Sequence, residues 1–246
     1  MQKKKTRDFV KELLIRFRID LTRNIKYDRL TRIIISASIH KNDNCIDVGC
    51  HKGEILNLML KYAPLGKHYA FEPIPFLYDQ LKVQYEGSAH VFPFALSDKA
   101  GESTFQLVKN ALAYSGIKRR TYKLKDPDIE VITVALKTLD EIIPSNEKIR
   151  FLKIDVEGGE LGVLKGAKRV LSENKPIIIF EFGKGASEFY GSSPVDIFKL
   201  LFTEHGYNIY TLKSYIQQKK PIPFETFQQY FNSGEEYYFI ASIKVF

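Results

Sequence analysis

Short apolar runs alternate with stretches of helical periodicity from residue 43 to the end of the chain. Seven of these runs have the length and the β-branched or aromatic content of strands. They lie at 44–48, 67–71, 90–96, 149–154, 176–181, 207–211 and 236–244. Helices are predicted at 53–63, 75–86, 159–171 and 194–205. The alternation predicts an α/β fold, a doubly wound and mostly parallel sheet of seven strands with helices on both faces.

Two stretches interrupt this alternation. Residues 101–136 hold two strand-like runs (GESTFQLV and IEVITVALK) around a basic loop, and we predict an inserted strand pair beside the main sheet. Residues 212–234, rich in Gln, Tyr and Phe, form a second insertion before the last strand. We therefore divide the chain into a basic helical extension, residues 1–41, and one domain, residues 42–246.

The net charge of +8 is concentrated at one end of the chain. Residues 1–41 carry 12 Lys and Arg against four acidic residues, so the extension alone accounts for +8. Subtracting these from the totals of 37 basic and 29 acidic residues leaves 25 of each in the domain. Because the domain is neutral, we predict no nucleic-acid partner.

The extension also has an amphipathic pattern. Apolar side chains recur at helical spacing between the basic ones, at Phe9, Val10, Leu13, Leu14, Phe17 and Leu21. A basic amphipathic helix within residues 1–32 can lie on an anionic membrane surface. Alternatively, it can pack its apolar stripe on the domain and leave its charges in solvent.

Composition predicts a soluble protein of a reducing compartment. No apolar run approaches the ~20 residues that span a bilayer, and the basic N-terminus lacks the apolar block of a signal peptide. Cys45 and Cys50 form neither a CxxC motif nor a disulfide framework. We expect a cytoplasmic location, with peripheral contact to the inner membrane face as an alternative.

The run Cys45–Gly53 (CIDVGCHKG) ends the first predicted strand and begins the first helix. Gly49 and Gly53 permit a sharp turn, and amides at a helix start favour electron-rich ligand groups. The turn lacks the G-x-G-x-x-G spacing of dinucleotide sites, because His51 replaces the middle glycine, and it is not a P-loop. S-adenosylmethionine, which has no phosphate, fits the spacing of Asp47, Gly49 and Gly53. A tight turn without a ligand is the alternative.

Acidic residues follow two further strands. Glu72 ends the second strand, where Pro73 stops it, and a carboxylate there can accept both ribose hydroxyls of a nucleoside. Its alternative is a solvated strand end. Asp155 and Glu157 follow the strand at 149–154 and should line the ligand crevice, because open α/β sheets bind ligands at the carboxyl ends of their strands.

The segments IDVGCHKG, FEPIP, FALSDKAGESTF, LKTLDEI and LKIDVEGGELGVLKGA, in this order, resemble the FkbM family of methyltransferases. The resemblance covers roughly residues 40–182, and LKIDVEGGE is its most specific part. It implies a class I methyltransferase fold, which is Rossmann-like, with S-adenosylmethionine as cofactor and S-adenosylhomocysteine as product. It also implies O-methyl transfer to a hydroxyl group, with a sugar of a surface glycan or glycolipid, or a related metabolite, as the acceptor.

The resemblance also implies site residues. The predicted cofactor contacts are Asp47, Gly49, Cys50, His51, Gly53, Glu72, Pro73, Ser97, Asp98 and Asp155. Among them, Ser97 and Asp98 are implied to lie near the adenine, and Asp155 near the methionine part and the acceptor. The family often has Ala-Asn where this chain has Cys50-His51, which leaves the role of His51 open.

Transfer to an alcohol needs an aligned oxygen and a base within hydrogen-bond reach. Our hypothesis is that Asp155, Glu157 and Glu181 orient and deprotonate the acceptor hydroxyl. Glu181 ends an apolar strand, so burial should raise its pKa. The three acids could instead fix loops or bind the cofactor ammonium. With His51 they also offer metal ligands, but no compact ligand motif supports a metal and none is predicted.

The inserted pair contains five positive charges within residues 117–125. Lys118, Arg119 and Arg120, with Tyr114 and Ser115 before them, are predicted to contact the acceptor. A phosphate or an acidic sugar would pair with such charges. A solvated loop is the alternative.

Two other functions fit parts of the pattern. A nucleotide-cofactor oxidoreductase would use a similar fold, although the middle glycine of its motif is missing. A non-catalytic binding protein could keep the S-adenosylmethionine fold. Against it stands the intact set Asp47, Gly49, Gly53, Glu72 and Asp155.

Overall fold

A seven-stranded sheet forms the centre of the computed structural model, which describes residue 15 and residues 20–122 and 124–246. Its strands are β1 (Asn44–Val48), β2 (His68–Phe71), β3 (His90–Phe92), β7 (Ile149–Ile154), β8 (Ile177–Glu181), β9 (Asn208–Thr211) and β10 (Tyr238–Ser242). They lie in the order β3-β2-β1-β7-β8-β10-β9. Strand β10 runs antiparallel to both neighbours, and the other pairs are parallel. The mostly parallel sheet of seven strands is confirmed.

A second sheet of three strands lies beside the first, in the order β4-β6-β5. Its strands are β4 (Phe94–Leu96), β5 (Gly101–Val108) and β6 (Ile129–Lys137). The predicted inserted pair is confirmed as β5 and β6, which are antiparallel, and β4 joins it alongside β6. The prediction of one strand over 90–96 is wrong. Pro93 has no N–H to donate to a ladder, and the chain passes there from the main sheet to the second one.

Helices cover both faces of the main sheet. They are α1 (Arg23–Ser38), α2 (Glu54–Tyr62), α3 (Pro75–Gln84), α4 (Leu139–Ile142), α5 (Glu160–Lys165), α6 (Pro194–Phe198), α7 (Leu212–Ile216) and α8 (Phe224–Ser233). The helices predicted at 53–63 and 75–86 are confirmed. Those predicted at 159–171 and 194–205 are divided, because π-helical turns at Val170–Asn174 and Lys199–Glu204 follow α5 and α6. The insertion at 212–234 folds mainly as α7 and α8.

Each face of the main sheet has its own apolar core. Helices α4, α5, α6 and α8 cover one face, with Leu164 and Phe227 fully buried between them and the strands. Helices α1, α2 and α7 cover the other face, where Ile35, Met59 and Leu212 are buried. Helix α1 thus belongs to the fold, although it lies in the extension predicted from the charge pattern.

The start of the extension is not part of the described structure. The predicted apolar stripe at Phe9, Val10, Leu13, Leu14 and Phe17 lies outside the described residues. Leu21, its last member, is 69% exposed. The side chain of Thr22 then caps α1 by accepting a hydrogen bond from the Ile25 amide. Among the residues that the structure describes, no helix is both long and apolar enough to cross a bilayer.

Candidate active site

A cavity of about 780 Å³ opens at the carboxyl ends of β1, β2, β7 and β8. Its walls include the turns that follow these strands, the first turns of α1, strand β4, the loop between β5 and β6, and residues near the start of β10. Small-molecule sites typically occupy roughly 300–1,000 Å³. The cavity is therefore large enough for a nucleoside-sized ligand together with part of a second molecule.

The turn after β1 is held close to its neighbours by two glycines. Gly49 has φ +75°, and a Cβ there would lie 1.9 Å from the carbonyl oxygen of Asp155. Gly53 has φ +78°, and a Cβ there would lie 2.2 Å from the Tyr85 hydroxyl, which donates a hydrogen bond to the Gly53 carbonyl. Both positions need glycine for backbone conformation and space. His51 between them also has a positive φ, of 53°.

Glu72 joins the turns after β1 and β2. Its Oε2 accepts a hydrogen bond from the His51 amide at 2.8 Å, and its Oε1 accepts one from the Ile74 amide at 2.9 Å. Burial raises the Glu72 pKa to about 7, and these two hydrogen bonds oppose the rise. Each carboxylate oxygen has a second lone pair, so Glu72 can still accept hydroxyl donors from a ligand in the cavity.

Five polar side chains, here called the polar row, cross four strands on the sheet face that α1 covers. They are Asp47, Lys153, Asp155, Glu181 and Tyr238. Asp47 on β1 is the register partner of Lys153 on β7, and Glu181 on β8 is the partner of Tyr238 on β10. Asp155 follows the end of β7. The alternation of side chains along each strand therefore brings the row to one face, at the mouth of the cavity.

Lys153 occupies the middle of the row. Its Nζ lies 3.2 Å from Asp155 Oδ2 and 3.9 Å from Asp47 Oδ1, and it donates to the Gly49 carbonyl at 3.4 Å. Tyr238 donates a 2.5 Å hydrogen bond to the same Asp155 oxygen. Both carboxylate oxygens of Asp47 are buried without a hydrogen-bond partner in the described structure. Burial raises the Asp47 pKa, and the Lys153 charge opposes the rise.

The buried charges set one another's protonation. Burial lowers the pKa of Lys153, but the charges of Asp155 and Asp47 outweigh it and raise that pKa above its ordinary value. At Asp155, burial is outweighed by the Lys153 charge and by hydrogen bonds from Tyr238 and Glu181, so the Asp155 pKa is lowered. Asp155 is therefore a carboxylate at neutral pH, and Lys153 is an ammonium.

Asp155, Glu157 and Glu181 form an acid cluster, with carboxylate oxygens within 4.8 Å of one another. Burial, and then the charges of Asp155 and Glu157, raise the Glu181 pKa well above its ordinary value, so Glu181 is protonated and hydrogen-bonded to Asp155. Burial and the Asp155 charge raise the Glu157 pKa to about 8, although Glu157 pairs with Arg120. The cluster thus places the ionised Asp155 beside two acids whose pKa values are raised.

The raised pKa values predict a stability that depends on pH. Buried Glu72, Glu157 and Glu160 have pKa values of about 7, 8 and 7 in the folded protein, above those of an unfolded chain. Their protonated forms stabilise the fold fully below the unfolded pKa, and this contribution is lost as pH rises towards 8. We expect the melting temperature to fall from pH 5 to pH 8 in a thermal melt.

The matched control for this prediction is Glu160→Gln. Glu160 Oε1 accepts hydrogen bonds from the Val156 and Gly158 amides at 3.1 Å, and an amide oxygen can replace it. The variant should show a shallower fall of melting temperature over the same pH range. If melting temperature falls with pH as steeply in the variant as in the parent protein, titration of Glu160 does not contribute to the pH dependence.

The cavity contains most, but not all, of the residues predicted from the sequence. Its lining includes Gly49, Cys50, His51, Glu72, Pro73, Tyr114, Ser115, Arg120, Asp155, Glu157 and Glu181. Asp47 and Gly53 lie directly behind the same turn. Ser115 stabilises the loop, because its Oγ accepts a hydrogen bond from the Val108 amide at 3.0 Å. Arg120 lies over the Tyr114 ring, 5.0 Å from its centroid.

Besides Asp47 and Gly53, four predicted residues do not line the cavity. Ser97 and Asp98 lie against α5, where a Cβ on Gly162 would be 3.3 Å from Ser97 Oγ. The reason is that β4 has left the main sheet, and the Ser97 amide continues its pairing with β6 by donating to the Lys137 carbonyl. Lys118 and Arg119 are exposed on the outer side of their loop.

Sequence reasoning missed Lys153 and Tyr238. A signal for Lys153 was present, because it is a charged residue at an interior position of the otherwise apolar run FLKI. Tyr238 had no comparable signal, since tyrosine is common in strands. The contribution of α1 to the cavity was also missed.

Comparison with known proteins gives the family. Residues 47–209 match the model of the FkbM methyltransferase domain. The chain belongs to the FkbM methyltransferase family. Its members are methyltransferases, which implies S-adenosylmethionine as the methyl donor, and the match favours this class over the oxidoreductase alternative.

Two relatives illustrate the range of the similarity. The hexuronic acid methyltransferase AglP of Haloferax volcanii is 31% identical over 140 residues, which are 54% of this chain and 52% of that protein. The crystal structure of methyltransferase FkbM from Methylobacillus flagellatus KT superposes with a TM-score of 0.51 and 16% identity, covering 82% of this chain and 44% of that one. The second similarity supports the class I methyltransferase fold. This chain spans about half the length of each relative.

Proposed function

We propose that this FkbM-family protein transfers the methyl group of S-adenosylmethionine to a hydroxyl oxygen of a sugar. The observation that carries the proposal is the position of Asp155. It is a carboxylate held ionised by Lys153 in the cavity, between the glycine turn and the first turns of α1. A base at that position can receive the proton of an acceptor hydroxyl. The name of the relative AglP adds support for a sugar acceptor.

The residues of the glycine turn fit this cofactor. Asp47 lies buried directly behind this turn, 3.9 Å from Lys153, and an ammonium group held at the turn would be attracted to its carboxylate. Glu72 offers two carboxylate oxygens to the ribose hydroxyls, with its position fixed by the His51 and Ile74 amides. Bound S-adenosylmethionine supplies a methyl group activated by its sulfonium.

The protein's own residues would then align the acceptor and move its proton. Asp155 accepts the proton from the hydroxyl, while Lys153 and Tyr238 keep its carboxylate in place. Protonated Glu181 donates to Asp155 and limits the charge of the acid cluster. Arg120 holds Glu157 and brings the loop between β5 and β6 over the cavity, which reduces access of water.

Binding of the product is the first test. A ligand that binds the native state alone at 100 times its Kd stabilises it by about 2.7 kcal/mol. For a domain of this size, S-adenosylhomocysteine should therefore raise the melting temperature by roughly 5–11 °C. Glu72→Gln should reduce this shift, because it weakens the acceptor for the ribose, whereas the exposed Glu86→Gln should not. A shift that is equal in all three proteins would remove Glu72 from the cofactor site.

Methyl transfer to sugars is the second test. S-adenosylmethionine with a radiolabelled methyl group is offered together with p-nitrophenyl glycosides of hexoses, deoxyhexoses and hexuronic acids. The proposal expects a labelled product that survives mild alkali, as a methyl ether does. Label that alkali releases would indicate a methyl ester and overturn the hydroxyl assignment. Absence of label from every glycoside, with S-adenosylhomocysteine binding intact, would overturn the sugar acceptor.

A further inference from the structure

The cavity extends beyond the glycine turn to a wall made by two distant parts of the chain. One part is the first half of α1, which contributes Asn24, Tyr27 and Thr31 to the lining. The other is the segment 234–238, which leads into β10 and contributes Tyr237 and Tyr238. We call these two parts together the terminal wall.

Direct side-chain contacts join the two halves of the terminal wall. Tyr237 donates a hydrogen bond to Asn24 Oδ1 at 2.7 Å, across 213 positions of sequence. Glu236 accepts from the Tyr27 hydroxyl at 2.5 Å and pairs with Lys26 at 2.7 Å. The Arg23 guanidinium donates to the carbonyl of Gly234. These contacts fix the position of α1 relative to the start of β10.

The terminal wall is also connected to the acid cluster. The rings of Tyr27, Tyr237 and Tyr238 pack on one another, with centroid distances of 4.7, 5.0 and 5.8 Å. Tyr238 in turn donates to Asp155. A molecule that lies against the wall is therefore presented to the carboxylate that would receive its proton.

Both halves of the wall lie outside residues 47–209, the part of the chain that matches the family. The glycine turn, Glu72 and Asp155 lie inside it. The boundary of the family match therefore runs between the two ends of the cavity. The end that fits the cofactor is shared with the family, whereas the opposite end is built from sequence that the family match does not include.

We propose that the terminal wall is the recognition surface for the acceptor, and that Asn24 and Tyr237 bind its hydroxyl groups. Tyrosine rings offer flat apolar faces to the C–H groups of a sugar ring, and the Asn24 amide and Tyr237 hydroxyl offer donors and acceptors at their edge. The inference rests on the proposed function, because it assigns the acceptor of the same site. The acceptor class is a polyhydroxylated ring.

The kinetic test uses p-nitrophenyl β-D-glucuronide and p-nitrophenyl β-D-glucoside as acceptors. Asn24→Ala and Tyr237→Phe each remove one hydrogen-bonding group, which at about 0.5–1.5 kcal/mol corresponds to a rise in acceptor KM of roughly 2- to 12-fold. The KM for S-adenosylmethionine should stay within about twofold, because these residues lie away from the glycine turn. Equal acceptor KM values in the variants and the parent protein would overturn the assignment.

A labelling test gives a readout that needs no turnover. Both native cysteines, Cys45 and Cys50, are buried, so the exposed Asn24→Cys site can be labelled selectively with a maleimide. Either glycoside, added with S-adenosylhomocysteine, should slow its labelling. The exposed Ser36→Cys site, on the part of α1 outside the cavity, should be labelled at the same rate with and without sugar.

The outcomes separate the inference from the proposed function. Protection of Asn24→Cys without methyl transfer would contradict the proposed function and leave the wall as a sugar-binding surface. Methyl transfer without protection and without a KM change would retain the function and overturn the inference. Protection by S-adenosylhomocysteine alone would assign the wall to the cofactor and also overturn it.

Discussion

Asp155→Asn is expected to lower kcat for methyl transfer by about 10²- to 10⁴-fold, the usual contribution of a positioned base. Asp155 is the ionised member of the acid cluster, because Lys153 and Tyr238 stabilise its carboxylate. The amide of Asn keeps the shape of the side chain but cannot accept the proton. Steady-state kinetics with saturating S-adenosylmethionine measure the effect, and the melting shift caused by S-adenosylhomocysteine reports whether the cofactor site survives.

Glu181→Gln is the matched control for that experiment. Burial and the neighbouring charges keep Glu181 protonated, so a glutamine can reproduce its hydrogen bond to Asp155. We expect its kcat to stay within about tenfold of the parent, which is far less than the loss at Asp155. If Glu181→Gln is the inactive variant and Asp155→Asn keeps its turnover, the roles of the two acids are reversed.

Lys153→Met is expected to destabilise the fold by roughly 3–5 kcal/mol, the usual cost of removing one partner of a buried ion pair. Lys153 compensates two buried carboxylates, Asp47 and Asp155, which would otherwise repel each other. Urea unfolding at pH 8 measures the loss. Lys148→Met is the control, because it removes the same charge from an exposed side chain that does not lie between buried carboxylates. It should leave the free energy of unfolding nearly unchanged.

The loss in Lys153→Met should also depend on pH. Without the ammonium, the pKa values of Asp47 and Asp155 rise in the folded state, so the fold takes up protons more readily than the unfolded chain. Stability of the variant is then regained as pH falls from 8 towards 5, and the difference from the parent protein narrows. A difference that is constant across this range would show that lost packing, and not uncompensated charge, causes the instability.

Much of the proposed cofactor end of the site could be predicted from sequence because its residues follow strands that local patterns identify. Asp47, Glu72 and Asp155 each end an apolar run, and the fold rule places such residues at one edge. Ser97 and Asp98 lie away from the cavity because the chain changes sheet at Pro93, inside the run that predicts a single strand. A proline inside an apolar run should have divided the predicted strand.

The rest of the site depends on contacts that local patterns do not contain. Lys153 meets Asp47 through the register of β1 with β7, across about a hundred residues of sequence. The contact between Asn24 and Tyr237 joins positions 213 apart. The concentration of basic residues predicts that α1 belongs to a separate extension. The face of α1 that is buried against α7 and the sheet leaves no comparable pattern in the sequence.

The pairing of the two halves of the terminal wall constrains the order in which the protein is completed during synthesis. Residues 44–181 contain every strand of the glycine turn and the acid cluster, so they can associate while translation continues. Strand β10 lies between β8 and β9, so β9 cannot join the main sheet until residues 238–242 have left the ribosome. Helix α1 precedes these strands in the chain, and its contacts with Glu236 and Tyr237 form only after those residues have also emerged. A nascent chain would therefore assemble the proposed pocket for the methyl donor before it assembles the surface proposed to select the molecule to be methylated.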